Sequence, residues 1–147
     1  MSNLNQALGE GSILLNQSAN TWQETFELAG LGLVSSNRVT SDYTQQMIDA
    51  FEEFGPYMVL TKGVALAHAR PSSAVLSTGL SLVTLSPGIN FGVERFDPVR
   101  VVIVLAAIDH DSHIDLMAEL ADIIASEEKV NSLMAAVTEA EVRSILG

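Results

Sequence analysis

The chain contains three histidines, and each of them follows a run of apolar residues. His68 comes directly after Val64–Ala67, and His110 and His113 follow Val99–Ile108. A histidine titrates at about pH 6.5, so a neutral ring nitrogen is available as a nucleophile at neutral pH. Such a nitrogen can accept and release a phosphoryl group if the charge on the phosphoryl oxygens is stabilised. The sequence therefore predicts a histidine-centred site at the ends of two strands.

Position distinguishes the candidates. His68 precedes the tripeptide ARP, which forces the chain out of regular structure, and is the candidate acceptor. One of its ring nitrogens should stay bare while a backbone carbonyl holds the other as N–H. Ser112 and Asp115 have the spacing of a capping box and predict a helix that begins at His113. Free N–H groups there would bind an anion and keep the imidazole neutral, so His113 is the candidate stabiliser.

The residues around His113 leave alternatives open. We expect His110 to be a loop side chain. Asp109 and Asp111 would repel a phosphoryl group if they faced it, or they could fix histidine tautomers by accepting an N–H. Three histidines and one carboxylate could also ligate zinc, which keeps a metallohydrolase as an alternative function.

Apolar spacing predicts the elements that position these residues. One helix is expected over Thr21–Val34, and a second, with Ser41 or Asp42 as N-cap, ends at Gly55-Pro56. An edge strand is possible at Ile13–Leu15. Four further strands are predicted: Tyr57–Leu60, Val64–Ala67, Leu76–Leu85 and Val99–Ile108. The last is almost wholly apolar, as expected of a central strand that is buried on both faces.

The C-terminal part of the chain has helical periodicity. An apolar stripe from Leu116 to Ile124 predicts one helix, Ser126 should cap Glu127–Ala136, and Thr138 with Glu141 forms a capping box for a terminal helix. Helices, then strands, then helices predict a single α/β domain over residues 1–147, with a sheet covered on both faces.

Composition excludes several classes of protein. The longest apolar run, Val101–Ile108, has eight residues against the ~20 of a membrane span, and no basic segment precedes the first apolar residues as in a secretory signal. We therefore expect a cytoplasmic protein. The chain has no cysteine, and its net charge of −11 argues against nucleic acid. No phosphate-binding glycine motif occurs, so neither a cofactor nor a metal is expected.

Two segments carry a resemblance to a known family. Gly63–Ala69 reads GVALAHA and Ala106–Met117 reads AAIDHDSHIDLM, with TGLSLVTL between them. They resemble the enzyme IIA component of the bacterial phosphoenolpyruvate-dependent sugar phosphotransferase system, in its type 2 or mannitol/fructose form and its ascorbate-like branch. The likeness extends roughly from Tyr43 to Ile124.

The resemblance implies a mixed β-sheet between helical layers and the activity of a phosphotransferase. His68 would form a phosphohistidine intermediate (tele-phosphohistidine in the family), although the residues alone leave the ring nitrogen open, and His113 would stabilise the phosphoryl group. The group would come from the phosphocarrier protein HPr and pass to a IIB component. IIB would phosphorylate a sugar, L-ascorbate for this branch, which the IIC membrane permease transports. A IIA-like regulatory phosphoprotein is the alternative.

The chain departs from the family pattern at two places. The proline common before the histidine is Ala67 here, as in ascorbate-like members. The arginine that mannitol-type members carry in the preceding helix has no counterpart in Ala50–Phe54, so its role would pass to Arg70, Lys62 or backbone N–H groups. Nine of the eighteen acids lie from Asp109 onward, either as solvated helix faces or as a docking surface for a basic partner.

Overall fold

A computed structural model describes residues 3–147, so Met1 and Ser2, the first residues of the predicted domain, lie outside the described residues. Its centre is a five-stranded sheet of order β1-β4-β5-β3-β2. The strands are β1 (Leu8–Gln17), β2 (Val59–Thr61), β3 (Val64–His68), β4 (Gly79–Ile89) and β5 (Val99–Ala106). The pairs β1–β4 and β3–β5 are parallel and the other two pairs are antiparallel, so the sheet is mixed.

Within the described residues six α-helices cover this sheet. They are α1 (Asn3–Ala7), α2 (Trp22–Ser35), α3 (Asp42–Phe54), α4 (His110–Ile124), α5 (Glu127–Ala135) and α6 (Glu139–Leu146). A 3-10 helix, Gly55–Met58, joins α3 to β2. A search of residues 3–147 finds no helix with the length and apolar content that crossing a membrane requires.

The alternation of side chains along β5 creates two apolar cores. Val102 and Val104 belong to the core beneath α2 and α3, whereas Val101 and Ile103 belong to the core beneath α1, α4, α5 and α6. Successive residues of a strand point to opposite faces, so an almost wholly apolar strand must be covered on both sides. The predictions of a central buried strand and of a sheet covered on both faces are confirmed.

The predicted elements are present with shifted ends, although Tyr57 and Met58 of the predicted strand Tyr57–Leu60 belong to the 3-10 helix. Ile13–Leu15 lies within the longer edge strand β1. The strand predicted from Leu76 begins only at Gly79, because the backbone N–H groups of Leu76 and Ser77 donate to the carbonyl of Arg38 instead of joining the ladder. The short helix α1 was not predicted.

The predicted helix caps differ in accuracy. The hydroxyls of Ser126 and Thr138 accept from the N–H groups three residues later, at 3.2 Å each, as expected. Ser41 holds the N-cap position of α3 but makes no side-chain capping bond. The start of α4 differs from its prediction and is described with the site.

The core beneath α2 contains a cluster of four aromatic rings, and this cluster generates a stability prediction. Phe26 is fully buried and makes edge contacts with Trp22, Phe51 and Phe91 at centroid distances of 5.4, 5.7 and 6.0 Å. Phe26→Ala should lower the free energy of unfolding by about 3–5 kcal/mol, because it removes these contacts and leaves a cavity. Chemical denaturation followed by circular dichroism measures the change.

The matched control lies on the same helix. Leu31 is 63% exposed, so Leu31→Ala should change the free energy of unfolding by less than about 0.5 kcal/mol. Equal losses in the two variants would show that the aromatic cluster is not the stabilising feature of this layer.

Candidate functional site

His68 is the last residue of β3, at the carboxyl end of the strand. It pairs in parallel register with Leu105 of β5, and its side chain is half-buried. The residues after it, Ala69 and Arg70, have no regular secondary structure. The predicted strand-end position of His68 is therefore what the structure shows. Parallel strands present their carboxyl ends at one edge, where α/β proteins commonly place ligands.

A buried tyrosine fixes the end of this strand. Tyr43, fully buried on α3, donates its hydroxyl proton to the Leu105 carbonyl at 2.9 Å and accepts the N–H of Ala69 at 3.0 Å. Burial raises the pKa of Tyr43 to about 12, and the hydrogen bond from Ala69 opposes this rise. The hydroxyl therefore stays protonated at neutral pH and continues to donate its proton to the Leu105 carbonyl.

The role of Tyr43 was not predicted from the sequence. The available signal was the residue type, because a tyrosine on a buried face requires a hydrogen-bond partner for its hydroxyl. Its partners are 26 and 62 residues away along the chain, and no local pattern identifies them.

The ring of His113 lies against that of His68. The ring centroids are 5.1 Å apart at an interplanar angle of 64°, and both side chains are half-buried. His110, Asp109 and Asp111 are exposed. The structure thus brings together the two histidines that were predicted to form the site. His110, predicted in a loop, is instead the first residue of α4.

The predicted start of α4 was wrong by three residues. Its N-cap is Asp109, whose carboxylate accepts the N–H of Ser112 at 2.8 Å, and not Ser112 with Asp115 as the reciprocal acid. Both Asp and Ser are favourable N-caps, and Asp109 has the extended backbone that the position requires. Capping at Asp109 also adds almost one turn to the helix.

This shift changes the surroundings of His113. The backbone N–H of His113 donates to the Asp109 carbonyl at 3.2 Å, so this N–H is not one of the free groups at the helix terminus. The expectation that His113 is the first residue of the helix was therefore wrong, since it is the fourth residue of α4. What His113 can offer a ligand is its imidazole.

The carboxylate of Asp109 caps the N-terminus of α4. Hydrogen bonds from the N–H and the hydroxyl of Ser112 lower the pKa of Asp109, which burial raises slightly and the nearby His110 lowers further. It therefore remains ionised at neutral pH and offsets the positive end of the α4 dipole. The carboxylate accepts no histidine N–H among residues 3–147, so the tautomer role considered for it is not seen.

The surroundings of His68 keep its ring neutral. Burial, and to a smaller extent the charge that His113 can carry, lower the pKa of His68. Burial and His110 likewise lower the pKa of His113. At neutral pH both rings are therefore uncharged, as a nucleophile and a neutral hydrogen-bond donor must be.

The two nitrogens of the His68 ring differ in burial. Nδ1 is buried and has no hydrogen-bond partner among residues 3–147. The backbone carbonyl that was expected to hold one nitrogen as N–H is therefore not present at this atom.

His68 also lines a small cavity of about 300 Å³ together with Arg70, Phe54 and Tyr57. Lys62 lies in the turn before β3, at the opposite end of the strand, and lines a different cavity. Of the two cations considered as substitutes for the family arginine, the structure places only Arg70 beside His68.

The described residues hold no group of three or more His, Cys, Asp or Glu side chains arranged to bind a metal ion. His68 and His113 lie together, but Asp109 and Asp111 are exposed and do not complete a ligand set with them. The alternative of a metallohydrolase thus lacks its donor cluster.

Comparison with known proteins identifies the family. Residues 6–147 match the family described as phosphoenolpyruvate-dependent sugar phosphotransferase system, EIIA 2. The chain is 37% identical over 145 residues to the ascorbate-specific EIIA component of Escherichia coli K12, covering 97% of this chain and 94% of that protein.

Solved structures agree with this assignment. The mannitol-specific cryptic enzyme IIA of Escherichia coli superposes with a TM-score of 0.87 at 34% identity, covering 99% of this chain and 98% of that one. The mannitol enzyme IIA of Escherichia coli, in its complex with phosphorylated enzyme IIB, superposes with a TM-score of 0.82 at 30% identity over 95% of this chain and 96% of that one. The chain, with its mixed sheet between two helical layers, therefore belongs to the type 2 EIIA family of the sugar phosphotransferase system.

Proposed function

We propose that this EIIA component is a phosphocarrier that accepts a phosphoryl group on His68 from phospho-HPr and passes it to a IIB component. The observation that carries the proposal is the contact of two half-buried histidine rings, 5.1 Å apart, at the carboxyl end of β3. A neutral imidazole supplies the nucleophile, and a second neutral imidazole beside it supplies a hydrogen-bond donor.

In this proposal Nε2 of His68 accepts the phosphoryl group, giving the tele-phosphohistidine. Nδ1 is buried and out of reach of a phosphoryl donor on another protein. Transfer forms a P–N bond at Nε2 as the P–N bond of the donor histidine breaks, and the ring proton then resides on Nδ1. Since the donor already carries an activated phosphoryl group, the step requires neither nucleotide, cofactor nor metal.

Two side chains are proposed to stabilise the phosphoryl oxygens. His113 donates an imidazole N–H from its position against the His68 ring. Arg70 shares the cavity of about 300 Å³ with His68 and makes no ion pair with a described residue. An arginine two residues after the acceptor would thus take the role that mannitol-type members give to an arginine in the preceding helix.

The surface around the site suits protein partners. Tyr57 and Phe54, which line the His68 cavity, are 82% and 44% exposed, and Ile108 beside the start of α4 is 49% exposed. Exposed apolar groups with charged neighbours are typical of a docking surface. Asp109 and Asp111 would complement a basic partner such as HPr.

The relatives support a proposed biological role. A homologue at 37% identity is ascorbate-specific, and a structural neighbour forms a complex with phosphorylated IIB. We assign residues 1–147 to one cytoplasmic IIA domain that serves L-ascorbate uptake through IIB and the IIC permease.

The first prediction on the phosphocarrier role tests the acceptor. His68→Gln should take no phosphate from phospho-HPr, because the amide is not a nucleophile for this transfer. Incubation with phosphoenolpyruvate, enzyme I and HPr, followed by mapping of an acid-labile phosphate, measures it. His110→Gln is the matched control and should be labelled like the wild type, since His110 is exposed and outside the ring pair. Label that persists in His68→Gln would refute the assignment.

The second prediction concerns the pH dependence of the ring pair. The pKa values of His68 and His113 should both lie below about 6.5 in the unphosphorylated protein. A lowered folded-state pKa means that the unfolded chain binds more protons, so stability falls as the pH drops below about 6.5. Imidazole resonances in a ¹H–¹⁵N NMR titration measure the values.

Variants separate the causes of these shifts. His113→Ala should raise the pKa of His68, because it removes both a neighbouring charge and part of the burial. His110→Ala should raise the pKa of His113 and leave that of His68 in place. A His68 that titrates above 6.5 in the wild type would contradict a neutral, partly desolvated ring.

The third prediction separates the acceptor from its stabiliser. His113→Ala should still be phosphorylated at His68 but should pass the group to IIB more slowly. Loss of one charge-assisted hydrogen bond costs roughly 1.5–3 kcal/mol, or about one to two decades in rate. Rapid-quench transfer from the purified phosphoprotein to IIB measures this rate. His110→Ala should transfer at nearly the wild-type rate, and the reverse order of the two variants would assign the stabilising role to His110.

A further inference from the structure

A second cavity, of about 650 Å³, lies at the other end of β3 from His68. Its walls come from the turn that contains Lys62 and Gly63, from Arg100 at the start of β5, from the end of α4, and from α5. The five residues of β3 separate it from His68 by roughly 15 Å, at about 3.3 Å per residue. It is therefore distinct from the histidine site.

The walls of this cavity are held by backbone bonds and close packing. The Gly63 carbonyl accepts the N–H groups of Arg100 at 2.8 Å and Val101 at 3.0 Å. Gly63 has φ +81°, and a Cβ there would lie 2.5 Å from Cε of Met134, so α5 packs directly onto the turn. The cavity is thus formed before any ligand binds, which lowers the entropic cost of binding.

Two cations in its lining have no partner. Lys62 and Arg100 make neither an ion pair nor a side-chain hydrogen bond with any residue in the described range, although the chain has eighteen acids and seven basic residues. The side-chain stem of Arg100 packs against Gly88 of β4, where a Cβ would lie 2.9 Å from its Cγ. Glu127 shares the lining but pairs with neither cation.

We propose that this cavity binds a small sugar phosphate. Lys62 and Arg100 together match a dianionic phosphate monoester, since both side chains donate charge-assisted hydrogen bonds to phosphate oxygens. Glu127 and Asn131 supply polar groups for sugar hydroxyls, and Met134 supplies an apolar surface for the carbon skeleton. The volume lies in the range of pockets for small ligands. The site does not depend on phosphorylation of His68.

The test is a ¹H–¹⁵N NMR titration of the full unphosphorylated chain with glucose 6-phosphate. Amide resonances of Gly63, Arg100 and Met134 should shift and saturate, whereas glucose at the same concentrations should leave them in place. Inorganic phosphate should bind at least about tenfold more weakly than glucose 6-phosphate, because it lacks the contacts of the sugar. Absence of a saturable shift, equal binding of inorganic phosphate, or shifts centred on His68 would overturn the proposal.

Charge-matched variants separate this site from general electrostatic attraction. Arg100→Gln and, at the exposed turn, Lys62→Gln should each weaken glucose 6-phosphate binding by about tenfold or more, through loss of a charge-assisted hydrogen bond. Arg95→Gln removes the same charge from an exposed residue outside the cavity and should leave the affinity unchanged. Because Lys62 is exposed, its variant retains the fold and remains informative if Arg100→Gln destabilises it. Equal weakening in Arg95→Gln would assign binding to net charge alone.

Discussion

The place of the His68 ring depends on one buried hydroxyl. Tyr43 reaches from α3 between the ends of β3 and β5 and bonds to Ala69 and to Leu105, the residue that His68 faces in the ladder. These bonds lie where β3 ends and the chain leaves the sheet. The hydrogen bonds of the sheet stop there, so they alone do not fix the position of His68. A buried hydroxyl that lost a partner would cost about 1–3 kcal/mol, which makes this geometry strongly preferred.

The order and direction of the strands bring His113 to the same end of the sheet as His68. β3 and β5 are parallel neighbours, so their carboxyl ends lie side by side. β5 ends at Ala106 and α4 begins at His110, which leaves a connection too short to move far from the edge. Leu116 and Leu120 bury the inner face of α4 in the core beneath it. With that face fixed, His113, three residues before Leu116, lies on the side toward His68.

Short-range sequence patterns predicted the buried faces of the strands and helices and the end of β3. The apolar run of β5 and the stripes of the helices identified buried faces, and the residues after His68 identified the strand end. Local spacing favoured Ser112 as the N-cap of α4, whereas the structure uses Asp109. Both residue types cap well, and the competition between them depends on the path of the chain out of β5. The hydrogen bonds of Tyr43 and the distance of Lys62 from His68 depend on contacts across the sheet, which no spacing along the chain expresses.

The same partial burial that keeps His68 neutral also determines how firmly a phosphoryl group would be held. Desolvation disfavours a charged imidazole, and it also disfavours the negative charge of a phosphohistidine. In the proposed carrier a neutral donor on His113 and the Arg70 guanidinium offset this cost only partly. An intermediate stabilised further would be slow to release its group, since only interactions stronger in the transition state speed transfer. A carrier placed between two partners therefore benefits from a site with few charges, and the exposed positions of Asp109 and Asp111 keep their repulsion in solvent.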